Sequence, residues 1–248
     1  MATKNQWLTT NIKDRLTNPS ADFAVYHNVS NINCSTFMDE CLAAREDIIK
    51  TYPNLFVPLS GGLDSEFVMK LFLNDATPII VDTPGNTIES AFAYRFCRVN
   101  NLTPIVIKKT EAEMLELYYN EIFKKLNGRG HNSVAVFIAA KYAVDNGGVA
   151  IIGEHAYDDV NEWDFYNEVL IGDDSSLYFF MWTPELVKAM QTEWNQFNED
   201  HQEFKHKLYD LSYRPKISYY YSGKYNEVCK KILSTAVFPN SNATVKLL

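Results

Sequence analysis

The sequence has no Cys-x-x-Cys pair: its four cysteines, Cys34, Cys41, Cys97 and Cys229, are scattered. Structural zinc needs closely spaced ligands, so these read as small buried hydrophobes rather than metal thiolates or a disulfide framework. No apolar run approaches membrane-spanning length, and residues 1–6 lack an apolar signal core. A cytoplasmic location with no membrane partner is therefore expected. Basic excess is missing as well. The formal net charge is −8, which disfavours nucleic acid, because a polyanion calls for a basic face. No Gly-x-x-x-x-Gly-Lys-Ser/Thr occurs, since Ser222-Gly223-Lys224 lacks the earlier glycine. Gly128-Arg129-Gly130 opens like a dinucleotide fingerprint, but the third glycine is missing and a polar helix precedes it. Both common phosphate-loop types are excluded.

What is present suits one large α/β domain or a domain with a small appendage. The chain has 248 residues, 46% of them apolar and 14% aromatic, enough for a sizeable core. Residues 1 to about 35 are polar, with one strand-like stretch at 23–26. Helical spacing over 37–50 ends before Pro53. Apolar runs then alternate with helical patterns. Strands are expected near 56–59, 78–81, 104–107 and 149–152, with helices over 66–73, 88–99, 111–126 and 134–144. Short connections of this kind imply right-handed crossovers and a doubly wound, mainly parallel sheet. From about residue 172 the pattern changes: Thr183-Pro184-Glu185 opens a helix, and 186–211 is helical and charged. The expected organisation is an N-terminal extension and helix (1–50), the sheet domain (51–171), and a mainly helical C-terminal lobe packed on it (172–248).

The stretch that orders the rest is Phe56-Val57-Pro58-Leu59-Ser60-Gly61-Gly62-Leu63-Asp64-Ser65. A short apolar run stops at Ser-Gly-Gly, and an amphipathic run starts after Asp-Ser, as in a buried strand, a tight turn and a helix. Adjacent glycines let the backbone approach a ligand with its N–H groups exposed. The helix that follows turns its positive dipole end into the turn, which suits phosphate. Ser60 and Ser65 add hydroxyls, and Asp64 can hold a divalent cation or the turn itself. An ordinary Gly-Gly turn with a polar cap is the plainer account; six such residues together at a strand-to-helix junction favour phosphate.

These six residues resemble the PP-loop signature of the ATP pyrophosphatase superfamily, whose members cleave ATP between the α and β phosphates. Later segments resemble, in order, the synthetase domain of asparagine synthetase. Val81-Asp82-Thr83-Pro84-Gly85-Asn86 is similar to the segment that wraps the adenosine. Arg129, before a helix, stands where that family places an arginine facing pyrophosphate. Ile152-Gly153-Glu154-His155-Ala156-Tyr157-Asp158-Asp159 resembles its Ser-Gly-Glu-Gly-Ala/Ser-Asp-Glu motif, and Tyr213-Arg214-Pro215-Lys216 its Trp-Arg-x-Lys. The resemblance spans about residues 40–225 and implies an adenine nucleotide alpha hydrolase-like (HUP type) sheet. It implies ATP held by Ser60, Gly61, Gly62, Leu63, Asp64, Ser65, Val81, Asp82, Thr83 and Gly153. Asp64 with Asp158 or Asp159 would hold Mg²⁺. Arg129 and Lys216 would clamp the departing pyrophosphate, where charge builds, and Glu154 would orient or deprotonate the attacking amine.

The departures lie after Gly153-Glu154. His155 replaces a small residue, Tyr157 stands before the acidic pair, and Val160-Asn161-Glu162-Trp163 replaces Phe-Gly-Gly-Tyr. The acid substrate is therefore not assumed to be aspartate. Glu154 and Asp158 end a buried strand, which favours a site over a solvated loop, whereas Lys216 could be an ordinary surface lysine and Arg129 stands evenly between the two. His131 and His155 have no second ligand at metal spacing. Tyr219-Tyr220-Tyr221 reads as a packed aromatic strand. The expected function is an ATP-dependent, AMP- and pyrophosphate-forming ligase that adenylates a small carboxylate and passes it to ammonia or an amine. No glutaminase domain fits before residue 35, and a separate glutaminase partner is left open. Two alternatives are a PP-loop nucleobase- or tRNA-modifying enzyme, which calls for a basic groove or cysteine cluster, and a non-catalytic nucleotide-binding subunit.

Overall fold

The computed structural model describes residues 9–10, 25–26, 29–122, 134–153 and 176–200. The chain divides into two compact units, Met1–Lys188 and Ala189–Leu248, and the sheet with its flanking helices belongs to the first. A two-stranded antiparallel ribbon joins β1 (Thr9–Thr10) to β2 (Val25–Tyr26). Helix α1 (Phe37–Thr51) follows, its N-terminus closed by Thr36, whose side chain accepts from the Asp39 N–H.

From there strand and helix alternate: β3 (Leu55–Pro58), α2 (Leu63–Leu71), β4 (Ala76–Asp82), α3 (Thr87–Val99), β5 (Ile105–Lys108), α4 (Glu111–Leu117), α5 (Val134–Asp145) and β6 (Val149–Ile152). Strand β7 (Ser176–Tyr178) and helix α6 (Pro184–Asp200) complete the described chain. The five strands β3–β7 form one sheet in the order β5-β4-β3-β6-β7, and every pairing is parallel. This is the doubly wound α/β arrangement the alternation predicts. The chain steps outward from β3 to β4 to β5, then returns to the other side of β3 to place β6. That reversal makes the gap between β3 and β6 the topological switch point, where open sheets of this kind take ligands.

Strand alternation assigns the two faces. Phe56, Ile79, Val81, Ile105 and Ile107 meet Val134, Phe137 and Ile138 of α5 together with Met114 and Leu117 of α4. Aromatic rings fill a second cluster. Phe37 of α1, Phe67 of α2 and Phe180 stack with centroids 5.8–6.2 Å apart, and Phe72 meets Phe179 edge-on at 5.8 Å. Such pairs add order 1 kcal/mol each beyond the area they bury. Central β6 is buried along its whole length, as a strand between two others with covered faces must be.

Helix α2 is tied down at its far end. The Arg45 Nε of α1 donates to the Leu71 carbonyl at 2.6 Å, and the same guanidinium pairs with Asp75. A cation at a helix C-terminus satisfies a carbonyl that has no partner within the helix. With its C-terminus pinned and Phe67, Val68, Met69 and Phe72 buried, the N-terminus of α2 is fixed at the end of β3.

Two stretches differ from the sequence expectation. The charged helix expected over 111–126 is α-helical only to Leu117, then widens into a π turn at Tyr118–Ile122; Leu117 and Tyr118 both pack against the first cluster. Strand β7 lies beyond residue 171, where the pattern points to helix. Its run Ser176-Leu177-Tyr178-Phe179-Phe180-Met181 is apolar and short, and periodicity alone does not separate a buried strand from a buried helix. The helix opened by Thr183-Pro184 is present, with the Thr183 hydroxyl accepting from the Leu186 N–H at 3.1 Å.

Candidate functional site

Three chain segments meet at the C-terminal edge of the sheet. The first is the turn between β3 and α2. Ser60 and Ser65 close it on itself: their hydroxyls lie 3.1 Å apart, the Ser60 N–H donates to Ser65 Oγ at 3.2 Å, and Ser65 Oγ donates to the Gly62 carbonyl at 2.9 Å. The Gly62 N–H donates to Ser60 Oγ at 3.2 Å. Ser65 is buried, so its hydroxyl serves the turn's shape. The N-cap of α2 is Gly62, and no side chain caps the helix.

The two glycines stand in different surroundings. Gly61 has φ +89°, and a Cβ there would lie 2.0 Å from the Glu89 carbonyl oxygen of α3 and 3.3 Å from the Ala93 nitrogen. Only glycine fits. Gly62 is in ordinary extended conformation with φ −79°, and a Cβ there would meet only Ser60 Oγ at 3.3 Å. A side chain at 62 would thus press on the Ser60 hydroxyl but meet no backbone.

The second segment follows β6. A Cβ on Gly153 would lie 2.8 Å from the Asp64 carbonyl oxygen and 3.1 Å from the Ser65 nitrogen. The end of β6 therefore runs against the first turn of α2, across the switch point.

The third segment follows β4, and Asn86 holds it. Its Oδ1 accepts from the Thr83 N–H (2.9 Å), the Thr83 hydroxyl (3.0 Å) and the Ser90 hydroxyl (3.1 Å), while its Nδ2 donates to the Val81 carbonyl at 3.0 Å. Ser90 is 3% exposed, so this bond satisfies a buried hydroxyl. Ser90 adjoins Glu89, whose carbonyl is the wall behind Gly61. The first turn of α3 thus touches both loops. Beside it the Tyr94 hydroxyl of α3 donates to Asp82 Oδ2 at 3.1 Å. Burial, then the Asp82 carboxylate, push the Tyr94 phenol above its ordinary pKa.

The structure thus brings Ser60, Gly61, Gly62, Asp64, Ser65 and Gly153 together by direct backbone contact, with Leu63 in the same turn. It sets Val81, Asp82 and Thr83 on the neighbouring strand end, joined through α3. Arg129, Glu154, Asp158, Asp159 and Lys216 lie outside the described residues, as do His131 and His155. The sequence places Asn86 only as the end of the adenosine-like segment and assigns no role to Ser90 or Tyr94. Thr83-Pro84-x-Asn86 does carry a signal, an N-cap residue with a partner three positions on and proline between. Nothing in the sequence marks Tyr94.

Two carboxylates, Asp64 and Glu66, occupy the first turn of α2; Glu66 faces Lys70 of the same helix at 3.5 Å. They suit the helix dipole but repel a bare anion, so a polyphosphate there calls for a counter-cation. Among the described residues no three His, Cys, Asp or Glu side chains are grouped to hold a metal, and no helix is long and apolar enough to cross a membrane. No family model matches the chain, and no curated protein matches it.

Proposed function

We propose that the chain is a PP-loop protein of the ATP pyrophosphatase superfamily, with a HUP-type sheet and a C-terminal helical lobe. We infer that it acts as an ATP-dependent, AMP- and pyrophosphate-forming carbon–nitrogen ligase resembling asparagine synthetase. The observation that carries this reading is the meeting of Gly153 with Asp64 and Ser65 at the switch point, beside the Ser-Gly-Gly turn. Two segments picked out separately along the sequence lie in contact where such a sheet takes its ligand. The start of α2, where no side chain caps the helix, suits a phosphate.

ATP would lie with its phosphates on residues 60–65 and its adenosine toward residues 81–83. Asp64, with Asp158 or Asp159, would hold Mg²⁺ through hard oxygen ligands; the ion, when bound, neutralises the β and γ oxygens. Arg129 and Lys216 would stabilise pyrophosphate as it leaves the α-phosphorus, and Glu154 would receive the amine's proton. The substrate is a small carboxylic acid, and the acceptor is ammonia or an amine, supplied freely or by a separate glutaminase. Incubation with ATP, Mg²⁺, ammonia and a panel of carboxylic acids tests this. AMP and pyrophosphate in equal amounts are expected; ADP and phosphate as the stoichiometric products would overturn it.

A further inference from the structure

We propose that Asp82, held in place by Tyr94, reads the ribose hydroxyls of the bound nucleotide; this rests on the nucleotide reading above and gives it a specificity-determining residue. Asp82 is the last residue of β4, at the edge of the sheet where ligands sit. Ile79 and Val81 pack against α5, so strand alternation turns Asp82 to the opposite side, toward α3. There Tyr94 donates to its Oδ2 at 3.1 Å. The raised Tyr94 pKa keeps that hydroxyl protonated, hence a donor, through the neutral range. Among the described residues nothing donates to Asp82 Oδ1. One carboxylate oxygen is thus committed, and the other is left to accept from a ligand.

The chemistry of its ligand follows. A carboxylate repels phosphate and accepts from hydroxyl or amino groups. The backbone acceptors at this strand end are already engaged. The Val81 carbonyl takes the Asn86 Nδ2 at 3.0 Å, and the Asp82 carbonyl takes the Lys109 N–H at 3.0 Å. That leaves the carboxylate as the acceptor presented to a ligand. A ribose offers two adjacent donors, and an acidic residue ending the second strand of a nucleotide sheet serves this purpose in dinucleotide folds. Asn86 fixes the loop beyond, so little ordering cost falls on binding.

The test is equilibrium binding of ATP, 2′-deoxyATP and 3′-deoxyATP, each with Mg²⁺, to the full chain and to Asp82→Asn and Tyr94→Phe. The wild-type chain should prefer ATP over at least one deoxy analogue by about tenfold, the scale of one hydrogen bond to a charged group. Asp82→Asn should lose most of that preference while binding the deoxy analogue as before, and Tyr94→Phe should lose part of it. Should Asp82→Asn fail to fold, Tyr94→Phe decides alone. Unchanged discrimination in the folded variants, or no discrimination in the wild type, would overturn the inference and leave nucleotide binding standing. A wild-type chain that binds none of the three would overturn both.

Discussion

The turns after β3 and β4 stand side by side on the sheet and are built in opposite ways. The first is shaped by what is missing: glycine at 61, where a Cβ would strike α3, and glycine at 62, where a Cβ would press on the Ser60 hydroxyl. The second is shaped by what is added, a single carboxamide at Asn86 that ties Val81, Thr83 and Ser90 together. The first turn is closed by its own serine hydroxyls on the Ser60 and Gly62 N–H groups and the Gly62 carbonyl, and it presents no large side chain. A turn held by a polar hub spends its acceptors internally and presents side chains such as Asp82 instead. The first suits phosphate, the second a nucleoside. The two are joined, because the helical turn whose Ser90 donates to Asn86 also carries the Glu89 carbonyl behind Gly61.

The sharpest way to break the comparison is Gly61→Ala. The substitution forces an L side chain into a left-handed conformation and against backbone that has no slack, so a loss of about 3 kcal/mol or more is expected in denaturant unfolding. If Gly61→Ala unfolds like the wild type, the loop does not lean on α3 as described. Asn86→Ala comes next. It strands a buried Ser90 hydroxyl and frees the loop after β4, at a cost of about 2 kcal/mol. Its nucleotide affinity should fall while binding of inorganic pyrophosphate is kept; equal loss of both would erase the division between the turns.

High pH acts more gently. The Cys97 thiol is buried on α3 and pushed up to about 11, and Tyr94 is raised as well. Both folded-state values exceed the unfolded ones, so their stabilisation is complete below the unfolded pKa and is lost as pH climbs through the folded one. Stability should hold through neutral pH and decline above about pH 9, by up to about 1.4 kcal/mol per pH unit for each group. Tyr94→Phe should flatten part of that decline, and an unchanged slope would show that Tyr94 titrates as in the unfolded chain. Gly62→Leu, whose Cβ would press only on the Ser60 hydroxyl, has the smallest expected effect on stability, about 1 kcal/mol, yet it should abolish ATP binding by placing a bulky side chain on the turn. Wild-type affinity in that variant would remove Gly62 from the site.

The same contrast explains what the sequence discloses. The turn after β3 is legible because its cause is local: Ser-Gly-Gly between an apolar run and an amphipathic one needs no knowledge of what packs where. The parallel sheet is legible for the same reason, four apolar runs spaced by helical periods. The difference between Gly61 and Gly62 is hidden, since it depends on the Glu89 carbonyl arriving from the next helix. Asn86 leaves a faint local signature through Thr83 and Pro84. Tyr94 leaves none, because its bond to Asp82 exists only once α3 lies on β4. Strand β7 escapes because three residues beside an aromatic run carry too short a period to read.

The central claim, that triphosphate lies on the turn between β3 and α2, is met most directly by a crystal structure with Mg²⁺ and a non-hydrolysable ATP analogue. The account predicts phosphate oxygens within hydrogen-bonding distance of the backbone at residues 60–65, with the adenosine beside residues 81–83. A triphosphate bound elsewhere, with the turn at residues 60–65 left to water, would contradict it.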